Sequence, residues 1–175
     1  MLFRSLANGG VYSGVTTATL SLTGVTAAMT TYQYRAVVTG TCAATNSAAA
    51  TLTVNTLPLV TVNPADVIVC EGTGTSFSVT ATGTGITYQW QQDNGGGFVN
   101  LANGGVYSNV TTPTLNISNV LGLGGYRYRA VVSGTCSPAA TSTSATLTEQ
   151  KNPIVTLPPA NAIVCEGNKI GRAHV

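Results

Sequence analysis

The chain has 175 residues, 43% of them hydrophobic and only 7% charged, with a formal net charge of +2. That apolar share is enough for a packed core and excludes a disordered chain, although an average soluble domain carries roughly 25% charged residues. No apolar run approaches the ~18 residues of a membrane-spanning helix, and the scattered cations exclude a nucleic-acid surface, which needs clustered Lys and Arg.

From the N-terminus, Met1, Leu2 and Phe3 run straight into repeat sequence with no basic start and no cleavage site, so an export signal is expected outside this stretch. Leu6-Ala-Asn-Gly-Gly-Val-Tyr-Ser13 follows and returns 95 positions later as Leu101-Ala-Asn-Gly-Gly-Val-Tyr-Ser108. Tyr32-Gln-Tyr-Arg-Ala-Val-Val38 returns as Tyr126-Arg-Tyr-Arg-Ala-Val-Val132 after a one-residue shift, and Ile68-Val-Cys-Glu-Gly72 returns as Ile163-Val-Cys-Glu-Gly167. The period is about one small domain. Within it the apolar pattern alternates at Phe77, Val79, Ala81, then at Ile86, Tyr88, Trp90, then at Tyr126, Tyr128, Ala130, Val132. A two-residue period places each set on the core side of a strand. Turn signals separate the sets at Gly83-Thr-Gly85, Asp93-Asn-Gly-Gly-Gly97, Asn103-Gly-Gly105, Leu121-Gly-Leu-Gly-Gly125 and Ser133-Gly-Thr135. Short strands at this spacing predict an all-β, antiparallel β-sandwich.

The phase of the repeat divides the chain. Residues 1–55 are the C-terminal half of one module, residues 56–150 a complete module, and residues 151–168 the first strand of a third. Pro58, Pro64, Pro153, Pro158 and Pro159 cluster at the module starts, where an edge strand tolerates a missing N–H donor. The half-module lacks the strands that carry Trp90 in the complete one. Residues 169–175, ending Ile170-Gly-Arg-Ala-His-Val175, resemble the translation of a sequencing adapter and are expected to take no part in the fold. Setting aside Lys169 and Arg172 leaves five basic residues against five acidic ones, and the only histidine, His174, goes with them.

Six segments carry a family resemblance: Val69-Cys-Glu-Gly72, Phe77-Ser-Val-Thr-Ala-Thr-Gly83, Thr87-Tyr-Gln-Trp-Gln91, Thr114-Leu-Asn-Ile-Ser-Asn-Val120, Tyr126 through Cys136, and Ala145-Thr-Leu-Thr148. In order and spacing they resemble strands A′, B, C, E, F and G of the immunoglobulin-like repeats of large bacterial surface and secreted proteins, the kind abundant in gliding bacteria. Trp90 stands where such modules place the strand C tryptophan. The usual cysteines of strands B and F fall at Val79 and Ala130, and Ala36 repeats the departure in the first module. The resemblance therefore implies a core of Val79, Trp90, Tyr128 and Ala130 held by apolar packing rather than by a disulfide.

The four cysteines are of two kinds, each present twice: Cys42 and Cys136 after strand F, Cys70 and Cys165 before strand B. One of each kind per module suggests a Cys70–Cys136 disulfide, as in small secreted domains. A strict immunoglobulin layout puts those two positions far apart, so a bridge between neighbouring modules is the alternative. No Cys-x-x-Cys pair suggests zinc, and Asp66, Glu71, Asp93 and Glu149 are too scattered for a calcium cage. The Asp93–Gly97 glycines lack a following Gly-Lys-Ser/Thr and lead into a strand, which fits a hairpin rather than a phosphate cradle. Asn109-Val-Thr111 and Asn116-Ile-Ser118 match glycosylation sequons, which chance alone supplies in a Thr- and Ser-rich chain.

Without a base, an acid or an activated nucleophile held in mutual reach, the chain is not expected to be an enzyme and needs no cofactor. The alternation that turns Tyr88, Trp90, Tyr126, Tyr128 and Ala130 inward turns Gln89, Gln91, Arg127 and Arg129 outward, on neighbouring strands. Gln33 and Arg35 take the matching strand F positions of the first module. Amides and guanidinium groups suit sugar hydroxyls or carboxylates, so these four form the candidate binding face for a glycan or protein. The expected role is a structural or adhesive repeat, extracellular or at the cell surface, whose nearest partners are neighbouring modules of the same chain. A carbohydrate-binding accessory module of a secreted hydrolase is the alternative; it calls for a row of exposed rings, and most rings here fall on inward positions.

Overall fold

The computed structural model describes residues 3–157, 163 and 165–167; the expectations for Pro158, Pro159, Ile170, Arg172 and His174 lie outside the described residues. Short strands account for nearly all regular structure, with one 3-10 turn at Ala27–Met29. The first six strands are β1 (Tyr12–Ser13), β2 (Ser21–Leu22), β3 (Gln33–Tyr34), β4 (Val37–Thr39), β5 (Ala44–Asn46) and β6 (Ala50–Thr51). They pair as β1–β2, β3–β6 and β4–β5. Among the described residues before Thr56, Met29 is the only buried hydrophobic side chain. An open groove of about 1470 Å³ runs over this part, lined by Phe3, Tyr12, Leu20 and Tyr34 among others.

Eleven strands follow: β7 (Leu59–Val62), β8 (Val67–Cys70), β9 (Thr75–Ser78), β10 (Thr80–Thr82), β11 (Thr87–Asp93), β12 (Val99–Asn100), β13 (Tyr107–Ser108), β14 (Thr114–Ile117), β15 (Arg127–Ser133), β16 (Ala140–Thr141) and β17 (Ala145–Gln150). One sheet has the order β12-β11-β15-β17-β8, with β16 also on β15. Its outer member β8 runs parallel to β17, with Leu147 opposite Val67 and Gln150 opposite Cys70. The facing layer has β13-β14-β9 and β10-β7. Strand B is divided between β9 and β10 at Val79, whose N–H still bonds Pro113 across the break. Such a two-layer, largely antiparallel arrangement is the immunoglobulin-like sandwich.

The space between the layers is filled from both. Phe77 and Val79 come from strand B, Leu115 and Ile117 from β14, Trp90 from β11, Tyr128 and Ala130 from β15, and Ala145 and Leu147 from β17. Trp90, Tyr128 and Ala130 have no exposed surface and Val79 is 4% exposed. Burying the indole N–H without a partner would be costly, and Trp90 Nε1 donates to the Thr112 carbonyl at 2.9 Å. Tyr128 stacks on Phe77 with ring centroids 4.9 Å apart. Its hydroxyl lies 3.2 Å from that of Tyr107, which donates to Gln92 Oε1 at 2.7 Å. Val79 and Ala130 leave room for these rings where a disulfide would otherwise stand.

The expected Cys70–Cys136 disulfide is not formed; Cys42, Cys70, Cys136 and Cys165 are all free thiols. The reason is topological. Cys70 ends β8 beside Gln150, at the end of the sandwich where Tyr126 enters β15. Cys136 follows the other end of β15, next to Thr135, which bonds Thr84. The seven residues of β15 alone hold these ends about 20 Å apart, six steps at ~3.3 Å each. A disulfide needs Cα atoms within roughly 4.4–6.8 Å.

Candidate functional site

The candidate face lies on the outer side of β11 and β15. Their antiparallel register sets Gln91 opposite Arg129 and Asp93 opposite Arg127. Directly opposed side chains on one face are close enough to bond, and both pairs do. Arg129 Nε donates to Gln91 Oε1 at 2.8 Å, and Gln91 Nε2 donates to Asn100 Oδ1 of the adjoining β12 at 2.8 Å. Arg127 forms a salt bridge with Asp93. The Phe98 ring, brought back by the Asp93–Gly97 hairpin, lies 3.9 Å from the Arg129 guanidinium carbon and 5.7 Å from that of Arg127. Such cation–π contacts contribute about 0.5–1 kcal/mol at exposed sites and fix the plane of the guanidinium.

Of the four residues expected on this face, Gln91, Arg127 and Arg129 are brought together. Gln89 stands apart from them. It is opposite Val131, and its amide donates to the carbonyls of Trp90 and Leu101, both at 2.8 Å, so it ties β11 to the following loop. Three contributors escaped sequence reasoning: Phe98, Asp93 and Asn100. A signal existed for Phe98, which occurs 95 positions after Phe3. The structure repeats the stack there too, with Arg35 4.2 Å from the Phe3 ring centre.

Asp93 anchors the hairpin. Its side chain is 3% exposed, and Oδ1 accepts the N–H groups of Gly95 at 2.8 Å and Gly97 at 2.9 Å. Those two bonds, with Arg127, hold its carboxyl below the usual carboxylate range against the opposing effect of burial. Burial dominates at the Tyr128 and Tyr107 hydroxyls, which are pushed above their ordinary value and stay protonated. Because the folded Asp93 value is depressed, its stabilisation is complete above about pH 4 and is lost as pH falls through the folded value. Asp93→Asn keeps an acceptor for the glycines but removes the charge. Its melting temperature is therefore expected to fall less on acidification below about pH 4 than that of the parent chain; parallel curves would show that Asp93 carries no such linkage.

The remaining acids of residues 56–150 hold backbone. Asp66 accepts Thr146 N–H at 2.7 Å, Glu71 accepts Asn152 N–H at 3.1 Å, and Glu149 accepts Gly122 N–H. Among the described residues no group of three or more His, Cys, Asp or Glu side chains could hold a metal ion. No helix of the described residues is long and apolar enough to cross a membrane.

The sandwich and its polar outer face define an immunoglobulin-like module. Similar architecture is found in Drosophila OTK extracellular domains 3–5, with a TM-score of 0.56 and 18% identity over 81% of this chain and 47% of that one. A three-domain immunoglobulin stretch of titin gives 0.54 and 16% identity over 75% of this chain and 45% of that one. This chain thus spans less than half the length of either, and at these identities the likeness is one of fold. No protein-family model and no curated protein sequence matches the chain.

Proposed function

We propose that this chain is a structural and adhesive segment of tandem immunoglobulin-like modules from a large bacterial surface or secreted protein. It acts as a spacer that presents a weak, repeated contact face, and it turns over no substrate. The unit is residues 56–150, flanked by the C-terminal half of one module and the start of another. The observation that carries this reading is the position of the two ends of the sandwich. Thr56 enters beside Thr84, which in turn bonds Thr135 at the far end of β15. Gln150 leaves beside Glu71, at the end where β15 begins. Modules joined through opposite ends extend in series instead of folding back.

The free thiols fit the same layout. Cys136 lies at the entry end and Cys70 at the exit end, so a neighbouring module, not the same one, is the partner each could reach. Against an accessory module that stacks on sugar rings, the large hydrophobic side chains exposed between residues 56 and 150 are all aliphatic, namely Leu57, Leu59, Val62, Ile68, Val99 and Leu121. Concatemers of residues 56–150 tested by small-angle scattering should lengthen by a constant increment per added copy. A maximum dimension that stops growing with copy number would sink the spacer reading.

A further inference from the structure

The two cations of residues 56–150 are Arg127 and Arg129, and both lie on one face around one ring. The acids Asp66, Glu71 and Glu149 hold backbone N–H groups elsewhere, so this face carries all the positive charge of residues 56–150. Arg127 is matched by Asp93, which leaves Arg129 as the unneutralised charge. Phe98 supports its guanidinium plane, Gln91 takes its Nε, and its two terminal nitrogens have no protein partner among the described residues. A guanidinium oriented in this way presents the planar fork that a carboxylate fits with two parallel hydrogen bonds. The Arg35–Phe3 stack repeats the arrangement 94 to 95 positions earlier.

We infer that the Arg129–Phe98 face binds carboxylate groups of a uronic-acid-containing polysaccharide, one carboxylate per module. This rests on the contact face of the proposed function and names its ligand class. Charge density selects polysaccharide over acidic peptide. With one free positive charge per repeat and Asp93 adjacent, the face suits a sparsely charged polymer and opposes a dense run of Asp or Glu. The neighbouring amides of Gln91 and Asn100 are neutral donors and acceptors of the kind that sugar hydroxyls pair with. One carboxylate gives only weak binding, and spaced repeats on one chain recover avidity through effective concentration.

The test is a titration of the full chain, followed by NMR, with short oligosaccharides in which a glucuronate alternates with a neutral sugar, with the same oligomers methyl-esterified, and with a pentaglutamate peptide. The acid oligomers should shift the Arg129 and Phe98 signals with a Kd on the order of 1 mM, as for one or two charge-assisted hydrogen bonds. The ester should bind at least about tenfold more weakly, and Arg129→Lys, which keeps the charge and loses the fork, about fivefold. Arg129→Gln should abolish the shifts; should its spectrum collapse, the lysine variant and the ester decide. Equal binding of acid and ester, unaltered binding by Arg129→Lys, or tighter binding of pentaglutamate would each overturn the inference while leaving a contact face in place. No shift on this face with any of the three probes would overturn both the ligand class and the face, and the scattering test of the spacer would be unaffected.

Discussion

Trp90→Ala is expected to cost the sandwich about 3–5 kcal/mol, the range for emptying a fully buried large aromatic site. The indole has no exposed surface, and it lies between strand B and β15 where immunoglobulin domains usually carry their disulfide. No covalent link therefore backs up the packing: Val79 and Ala130 are small, and neither can move far enough to fill the void. At about 4–8 °C per kcal/mol for a domain of this size, the variant should melt at least about 12 °C below the parent chain. The Thr112 carbonyl also loses its donor. Chemical denaturation followed by Tyr fluorescence would measure the loss. A cost below about 1 kcal/mol would mean that Trp90 is not the keystone of this core.

Gly83→Ala should be nearly as damaging although it adds a single methyl group. Gly83 follows β10 with φ of +142°, and a Cβ there would meet Pro58 Cα at 2.9 Å and the Leu57 carbonyl oxygen at 3.0 Å, besides Ile86 Cγ2 at 2.8 Å. Two of those atoms are backbone of the segment leading into β7 and cannot swing aside. Backbone strain of order 1–3 kcal/mol is expected before the contacts are counted, so we expect a loss of at least about 2 kcal/mol. Gly72→Ala separates the two effects, because Gly72 also has positive φ, at +77°, but nothing lies within 4 Å of its Cβ position. If thermal melting shows equal losses for both variants, the close approach of Pro58 contributes nothing.

Alternation along Phe77–Val79, Tyr88–Trp90 and Tyr126–Val132, punctuated by glycine turns, was sufficient to read a sandwich from the sequence. Side-chain period is a local property: once a segment is extended, its apolar residues share a face whatever its neighbours do. The 95-residue repeat marked how much chain one such unit uses. It also explains the contrast between the two copies, since Phe77, Val79 and Trp90 have no counterparts within residues 3–55, where an open groove stands in place of a filled core.

Facing, however, is not pairing. That Gln91, Arg127 and Arg129 point outward follows from alternation; that Gln91 meets Arg129 and Asp93 meets Arg127 depends on the register of β11 against β15, residues 34 to 38 positions apart. Gln89 shares the period with Gln91 yet bonds to backbone, because the loop at Leu101 happens to pass over it. Phe98 joins the face only because Asp93 folds the hairpin back. The cysteines show the same division from the other side: their recurrence suggested a pair within one module and the immunoglobulin layout set them far apart, and the structure decides between the two by placing Cys70 and Cys136 at opposite ends of β15. By itself the sequence determined which residues are buried strand positions and how often the unit recurs, because both are set by nearest-neighbour geometry. Only the tertiary structure decided which polar groups meet and which thiols are kept apart, because strand register and the course of loops are long-range outcomes of packing the whole core at once.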